Sequence, residues 1–403
     1  MAVIRTGDVW SLQQGERVLL SIQRVPQYRS ATLSFSNMVI HSTRLRPRLP
    51  HTYAGRISRF RLASGLERAK RLYGPAISAL STYELIQNTG RDYPTMKKDF
   101  LSILDLTTAD LERCLDVATE LKRRRAEGQG APTASLLAGQ HVALLFDKPS
   151  LRTRATFEIA VRELGGEIVN PSVDEALGKR EAVADVARNL ERWVAAAIIR
   201  TFKQEHLVEA ARATTRLRII NALSDTEHPC QALADMMTLR EHWGTLAGRI
   251  LTFVGDGNNV ATSLVQASAM LGVRIRIASP NGHGLSNRVV DEAIGRNASA
   301  SVEQFIDPHK AVAGADAVYT DAWTSMGQEN ESRLRQSTFL PYQANAERMA
   351  KAKPGALFLH CLPAHRGEEV TDEVIEAPTS VVFDQAENRL HTEKALLAML
   401  LAE

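Results

Sequence analysis

From residue 141 onward, short apolar runs alternate with stretches whose apolar residues recur every three or four positions. This alternation restricts the fold more than any other feature of the chain. Runs at 141–146, 195–200, 218–222, 250–254, 273–278, 317–320, 357–360 and 381–383 are too short for helices and read as buried strands. Between them, 152–164, 181–193 and 231–243 carry helical periodicity, and a final helix is expected over 387–401. Strands separated by helices pair in parallel, because each crossover must accommodate the helix. The pattern pauses after 231–243 and restarts, so the expectation is an α/β chain of two domains with parallel sheets, divided between 243 and 244.

Local punctuation agrees. Thr107 followed by Asp110 is a capping-box spacing, and Leu111, Leu115 and Ala118 then fall on one helical face. Gly165-Gly166 is a helix stop. A chain of 403 residues exceeds one ordinary core, and no run of 18 apolar residues marks a membrane span. The three cysteines are odd in number and far apart, which argues against a disulfide framework or zinc cage and for a reducing, cytoplasmic setting.

Charge is unevenly spread. Residues 1–95 hold 14 Lys+Arg against 5 Asp+Glu, leaving 35 against 41 for the rest, a mildly acidic body with no electrostatic case for nucleic acid. The 1–95 segment shows no sustained period, and Arg44-Leu45-Arg46-Pro47 cannot continue a helix or a central strand. Three readings compete: a transit peptide, a basic disordered arm, or a start codon placed too far upstream. The last is favoured, because Met96-Lys97-Lys98-Asp99-Phe100 opens the first well-patterned segment. This tail is assigned no function.

Five motifs carry chemistry. Ser150-Leu151-Arg152-Thr153-Arg154 follows a strand and opens a helix, so free backbone N–H groups, guanidiniums and hydroxyls converge as a phosphate site would require. A capped helix with solvated arginines is the bland alternative. His228-Pro229-Cys230-Gln231 places an imidazole and an amide at a helix start, suited to polarising a carbonyl and holding an amino group, or simply to capping. Gly255-Asp256-Gly257-Asn258-Asn259 suggests a dinucleotide turn but lacks the third glycine, and the next strand ends at Ser279-Pro280 without a ribose-binding acid. A nicotinamide dehydrogenase is therefore disfavoured, and the two asparagines suit a small polar ligand. Asp321 stands at a strand's C-terminal end, where a carboxylate meets the crevice of an open sheet and can bind an ammonium group, or cap a turn. Cys361, in His360-Cys361-Leu362-Pro363-Ala364-His365-Arg366-Gly367, is either a nucleophile with His360 or His365 as base, or a buried thiol.

Taken in order, S-x-R-T-R, H-P-x-Q, G-D-x-x-N-N, D-x-W-x-S-M-G, H-C-L-P-A-H-R-G and Glu387-Asn388-Arg389-Leu390-His391 closely resemble the ornithine carbamoyltransferase family, from about Phe100 to the C-terminus. Aspartate carbamoyltransferases share the phosphate-side motifs but lack the S-M-G loop and the H-C-L-P turn. The resemblance implies transfer of a carbamoyl group from carbamoyl phosphate to the δ-amine of L-ornithine, giving L-citrulline and phosphate, with arginine biosynthesis as the setting. It implies a carbamoyl phosphate domain over 96–243 joined by a C-terminal helix over 386–403, and an ornithine domain over 244–385. It further implies a homotrimer or a multiple of trimers, with no metal and no cofactor.

Residue roles carry over where positions match. Ser150, Leu151, Arg152, Thr153 and Arg200 would grip the phosphate, and His228, Gln231 and Arg389 the carbamoyl end. Asn259, Asp321, Ser325 and Met326 would bind the ornithine backbone atoms, and Cys361 with Leu362 would meet the δ-amine and the carbamoyl group. Cys361, Arg200, His228 and Asp321 form the expected catalytic set. Leu151 replaces a common threonine, without consequence for its backbone N–H. Ala176 replaces a Gln or His that reaches a neighbouring phosphate site, a loss for which Lys179 or Arg180 would compensate. Rival readings are transfer to putrescine or an N-acylated ornithine, and a non-catalytic amino-acid-binding module. The intact S-M-G loop favours a free amino acid, and the phosphate-side arginines favour a transferase.

Overall fold

The computed structural model describes the backbone of five strands between Ala2 and Ser42, and residues 96–127, 136–148, 150–172, 180–324 and 332–401. The chain divides into two compact units, Met1–Ile77 and Ser78–Glu403.

In the first unit, β1 (Ala2–Thr6), β2 (Val9–Gln14), β3 (Arg17–Val25), β4 (Ser30–Phe35) and β5 (Met38–Ser42) form an antiparallel meander. This corrects the expectation that the tail lacks regular elements. The overlooked signal is spacing: the strand bounds leave two residues between β1 and β2, between β2 and β3, and between β4 and β5. Residues 43–95, on which the transit-peptide, basic-arm and start-site readings also bear, lie outside the described residues.

The second unit opens with α1 (Thr108–Ala126), whose Thr107 and Asp110 form the expected reciprocal capping box. A four-stranded parallel sheet follows, of β6 (His141–Phe146), β7 (Glu167–Val169), β8 (Ala196–Arg200) and β9 (Arg218–Leu223), ordered β7-β6-β8-β9. Its crossovers are α2 (Leu151–Glu163), α3 (Val183–Leu190) and α4 (Gln204–Ala213). The helix α5 (Pro229–Trp243) leads to the second sheet, of β10 (Ile250–Val254), β11 (Arg274–Ala278), β12 (Val302–Phe305), β13 (Ala317–Thr320) and β14 (Leu357–His360). These five strands are parallel and ordered β12-β11-β10-β13-β14. The helices α6 (Asn259–Met270), α7 (Asn287–Ile294), α8 (Pro308–Val312), α9 (Ser332–Phe339), α10 (Ala346–Met349) and α11 (Asp372–Ile375) connect and flank them. The order reverses between β6 and β8 in one sheet and between β10 and β13 in the other, and such switch points are where open α/β sheets bind ligands.

The last helix, α12 (Val382–Leu401), packs against α1, α2 and α5, returning the chain to the first sheet's half of the unit. Every residue of α5 from Pro229 to Leu239, and of α12 from Asn388 to Leu401, is buried. Such all-round burial makes them an internal column rather than surface helices. The strand expected at 381–383 is corrected by this helix. Val381 N–H does reach Phe358 O, but the pairing stops there. Val382 is buried, Phe383 exposed and Gln385 buried again, which follows a helical period as the chain turns inward.

One close approach fixes the turn after β10. A Cβ on Gly257 would lie 2.6 Å from both Gly284 C and Leu285 N, and Gly257 N donates to His283 O at 2.7 Å. Neither obstacle is a flexible side chain, so the backbone itself must move. Gly257→Ala should lose about 2 kcal/mol or more of stability, read as a fall in thermal midpoint. It should also displace the neighbouring Asn258, which caps the helix that follows.

Candidate active site

Both switch points open into one cleft of about 930 Å³. Its lining includes Ser150, Arg152, Thr153, Arg200, His228 and Arg389 from one side and Asn258, Asn259, Asp321, Cys361 and Leu362 from the other. That volume lies within the range of small-molecule sites.

On the first side, Ser150 is the N-cap of α2, yet its hydroxyl makes no capping hydrogen bond. The helix therefore presents N–H groups and its positive end toward the cleft. Leu151 is 80% exposed at this entrance, so its side chain stands clear of the backbone groups. Three guanidiniums gather close by. Burial, and then the charge of Arg389, lowers the pKa of Arg152; the same two influences together with Arg152 push Arg200 down to about 10. Arg389 is buried and donates to Gln231 Oε1 at 2.8 Å, Thr153 Oγ1 at 3.2 Å and Glu393 Oε1 at 2.6 Å. Like charges held together in a half-buried cleft favour an anionic ligand among them.

His228 is the N-cap of α5, with Pro229 at the first helical position as expected. Its backbone N–H donates to Ser263 Oγ at 3.0 Å. Burial first, then Arg389, Arg200 and Arg152, drive its pKa well below the usual histidine value. A neutral imidazole can donate a hydrogen bond here without adding a further positive charge.

On the second side, Asp321 follows β13 and Cys361 follows β14. The Cys361 thiol donates to Asp321 Oδ1 at 2.9 Å, and Asn258 Nδ2 donates to Asp321 Oδ2 at 2.8 Å. Burial and then the Asp321 charge lift the thiol's pKa well above its ordinary value. Asn259 lines the cleft and donates to Ser224 O at 2.6 Å, tying α6 to the end of β9. The turn at Cys361 is held by His360. Leu362 N–H donates to His360 Nδ1 at 2.8 Å, so the ring proton sits on Nε2 and faces Glu369 Oε1 at 3.1 Å. Leu362 is thereby kept at φ 56°, a left-handed backbone that few non-glycine residues adopt.

The structure thus brings together Ser150, Leu151, Arg152, Thr153, Arg200, His228, Arg389, Asn259, Asp321, Cys361 and Leu362. Gln231 stands behind the cleft wall, accepting from Arg389 and donating to Asp235 Oδ1 at 2.8 Å. Arg154, a further expected phosphate contact, turns away: it donates to Asn170 Oδ1 at 3.0 Å and lies 4.7 Å from the Phe146 ring centre. Ser325, Met326, Ala176 and Lys179 lie outside the described residues. Sequence reasoning passed over Arg335, whose Nε donates to Trp323 O at 2.6 Å while its guanidinium pairs with Asp256, bracing the turn that carries Asn258. No sequence signal marks it, because its importance comes from where α9 packs.

This fold and cleft define a two-sheet α/β unit in which a guanidinium-lined switch point faces a carboxylate-bearing one. Comparison with known proteins agrees. Residues 98–241 match the carbamoyl-P binding domain of aspartate/ornithine carbamoyltransferases, and residues 247–400 match the Asp/Orn binding domain. The chain belongs to the aspartate/ornithine carbamoyltransferase family. It is 46% identical over 301 residues to an ornithine carbamoyltransferase of Brucella suis biovar 1 (strain 1330), covering 74% of this chain and 95% of the relative. It is 47% identical over 309 residues to one from Acidothermus cellulolyticus, covering 76% and 97%. The solved structure of ornithine carbamoyltransferase from Pyrococcus furiosus superposes with a TM-score of 0.73 at 44% identity, over 76% of this chain and 97% of that one.

Proposed function

We propose that this chain transfers the carbamoyl group of carbamoyl phosphate to the δ-amine of L-ornithine, releasing L-citrulline and phosphate. One observation carries the reading: three guanidiniums and a helix start face an Asp321–Cys361 pair across a single cleft. In this assignment 96–243 with 386–403 holds carbamoyl phosphate and 244–385 holds ornithine. Ser150, Leu151 N–H, Arg152, Thr153 and Arg200 take the phosphate; Arg389 and His228 take the carbamoyl oxygen; Gln231 acts by holding Arg389. Asn259 and Asp321, with Ser325 and Met326, hold the amino-acid end, and Cys361 and Leu362 border the reacting amine.

The chemistry follows from the residue types. Ornithine's δ-ammonium first releases a proton to solvent; its nitrogen then attacks the carbonyl carbon, and as the C–O bond to phosphate breaks the leaving phosphate takes the electron pair and the second N–H proton. Charge developing on the carbonyl oxygen meets preset donors at Arg200, Arg389, His228 and Thr153. The leaving phosphate rests on Arg152 and the start of α2, a charge-assisted grip. Holding both substrates in line supplies much of the remaining acceleration. The Cys361 thiol, kept protonated by burial and by Asp321, donates a hydrogen bond and is not poised as a thiolate nucleophile. Cys361→Ser should therefore retain turnover, with kcat down about 10–100-fold; an obligate nucleophile would lose about 10⁶-fold.

The decisive assay follows citrulline and phosphate together, with carbamoyl phosphate against a panel including ornithine, putrescine and N-acetylornithine. Failure to release any phosphate that depends on ornithine would sink the proposal. A trimer, or a multiple of trimers, belongs to the same proposal, supported by the family resemblance and by Trp193, 67% exposed beside Val169 on one face. Light scattering of the purified protein tests it. Biosynthetic use in the cytoplasm is also proposed, in keeping with three unpaired cysteines and with the finding that no helix among the described residues is long and apolar enough to cross a membrane.

A further inference from the structure

A buried chain of hydrogen bonds runs between the two sides of the cleft. His360 N–H donates to Gln385 Oε1 at 3.0 Å, and Gln385 Nε2 donates to Asp235 Oδ1 at 2.7 Å. The same Asp235 oxygen accepts from Gln231 Nε2 at 2.8 Å, and Gln231 Oε1 accepts from Arg389 Nη1 at 2.8 Å. His360, Gln385, Asp235, Gln231 and Arg389 are all 2% exposed or less. The direction of every link is forced. A backbone N–H and a guanidinium can only donate, so each glutamine must turn its oxygen to them and its NH₂ to Asp235.

We infer that Gln385 and Asp235 are positioning residues that tie the Cys361 turn to Arg389, fixing the distance between the two substrate half-sites. Three observations favour this over ordinary satisfaction of a buried amide. Gln385 lies in the first turn of α12, where the chain leaves the second sheet for the first half of the unit. Asp235 is fully buried beside Gln231, Gln385 and Tyr319, and burial raises its pKa to about 7, so the carboxyl is kept there at a desolvation cost. Both ends of the chain terminate one residue or one side chain from the reacting groups: His360 precedes Cys361, and Arg389 lines the cleft itself. The chain thus couples an amine-side turn to a phosphate-side cation through Gln385 and Asp235, neither of which lines the cleft.

The inference rests on the carbamoyl-transfer reading, and the test separates the two. Full-length wild type, Gln385→Met, Gln231→Met, their double variant and Asp235→Asn are compared with both substrates varied. Met keeps the volume of Gln and removes its hydrogen bonds, whereas the Asp235→Asn side chain keeps an oxygen for both amide donors. Gln385→Met should lower kcat/KM for ornithine roughly 10–100-fold, the effect of one or two buried hydrogen bonds, with the carbamoyl phosphate KM within about threefold. Breaking one chain twice adds little, so the double variant should fall short of the product of the singles by about tenfold. Asp235→Asn should recover most of the rate. An active wild type matched by Gln385→Met, or losses that simply multiply, would overturn this inference alone. A wild type that makes no citrulline overturns both readings. If Gln385→Met fails to fold, the comparison of Gln231→Met with Asp235→Asn decides: equal loss in both is the contrary result.

Discussion

Arg389→Met should raise the carbamoyl phosphate KM and lower kcat, so that kcat/KM falls about 10²–10³-fold, the cost of removing a preset donor from developing charge. Steady-state kinetics with carbamoyl phosphate varied would show it. The loss has a second part that activity alone does not reveal. The guanidinium is the centre of a buried set, donating to Glu393, Gln231 and Thr153, so its removal strands Glu393. Breaking a buried pair from one side costs about 3–5 kcal/mol. Burial already lifts the Glu393 pKa to about 7 despite Arg389 beside it. Native protein holds this proton where the unfolded chain has lost it, so Glu393 makes stability fall as pH rises from the ordinary carboxylate range through about 7. Without Arg389 that decline should extend to higher pH. The double variant Arg389→Met/Glu393→Met should regain much of the stability and none of the activity. A double variant no more stable than the single would contradict the buried-pair account.

The contacts around Arg389 are ones no linear reading could supply, and the same holds for much of the site. The strands ending near Phe146, Arg200, Val254, Thr320 and His360 were legible because apolar runs bounded by polar turns have few other uses. Parallel order then put Arg200, Asp321 and Cys361 at or just past strand ends, and Arg152 at the helix start that follows one, where crevice ligands sit. By contrast β7 and β12 are short strands at sheet edges, and Glu303 and Gln304 in β12 give no apolar run to read. The start of α12 reads as a strand because three apolar residues, Val381 to Phe383, fit either period. Within the site, residue type set what a group could do, and packing set which way it faced. Arg154 shares a motif with Arg152 yet stacks on Phe146, because nearby positions on a helix point apart. Gln231 and Asp235 share one face of α5 and so meet each other, which turns Gln231 from a wall of the cleft into a support for Arg389.

Asp321→Asn should reduce kcat/KM for ornithine about 10³-fold while leaving the carbamoyl phosphate KM within a few-fold. The carboxylate stands at a strand end on the amine side of the cleft, opposite Arg152, Arg200 and Arg389. Its oxygens are already oriented by Cys361 Sγ, Ala322 N and Asn258 Nδ2, at 2.9, 2.8 and 2.8 Å. A carboxylate accepts from all three and still attracts a cationic substrate. An asparagine cannot, because its NH₂ would meet either the Asn258 NH₂ or the thiol and backbone N–H, leaving donors face to face. Two losses therefore combine: charge attraction to the ammonium, and the orientation of Cys361 and Asn258. Hydrogen bonds to charged groups are worth about 1.5–3 kcal/mol each, and two such losses reach the stated factor. Cys361→Ser, which keeps a donor to Asp321, should be far milder. An Asp321→Asn variant that retained a normal ornithine KM and kcat would show that the ammonium is held elsewhere, and would remove Asp321 from the substrate site.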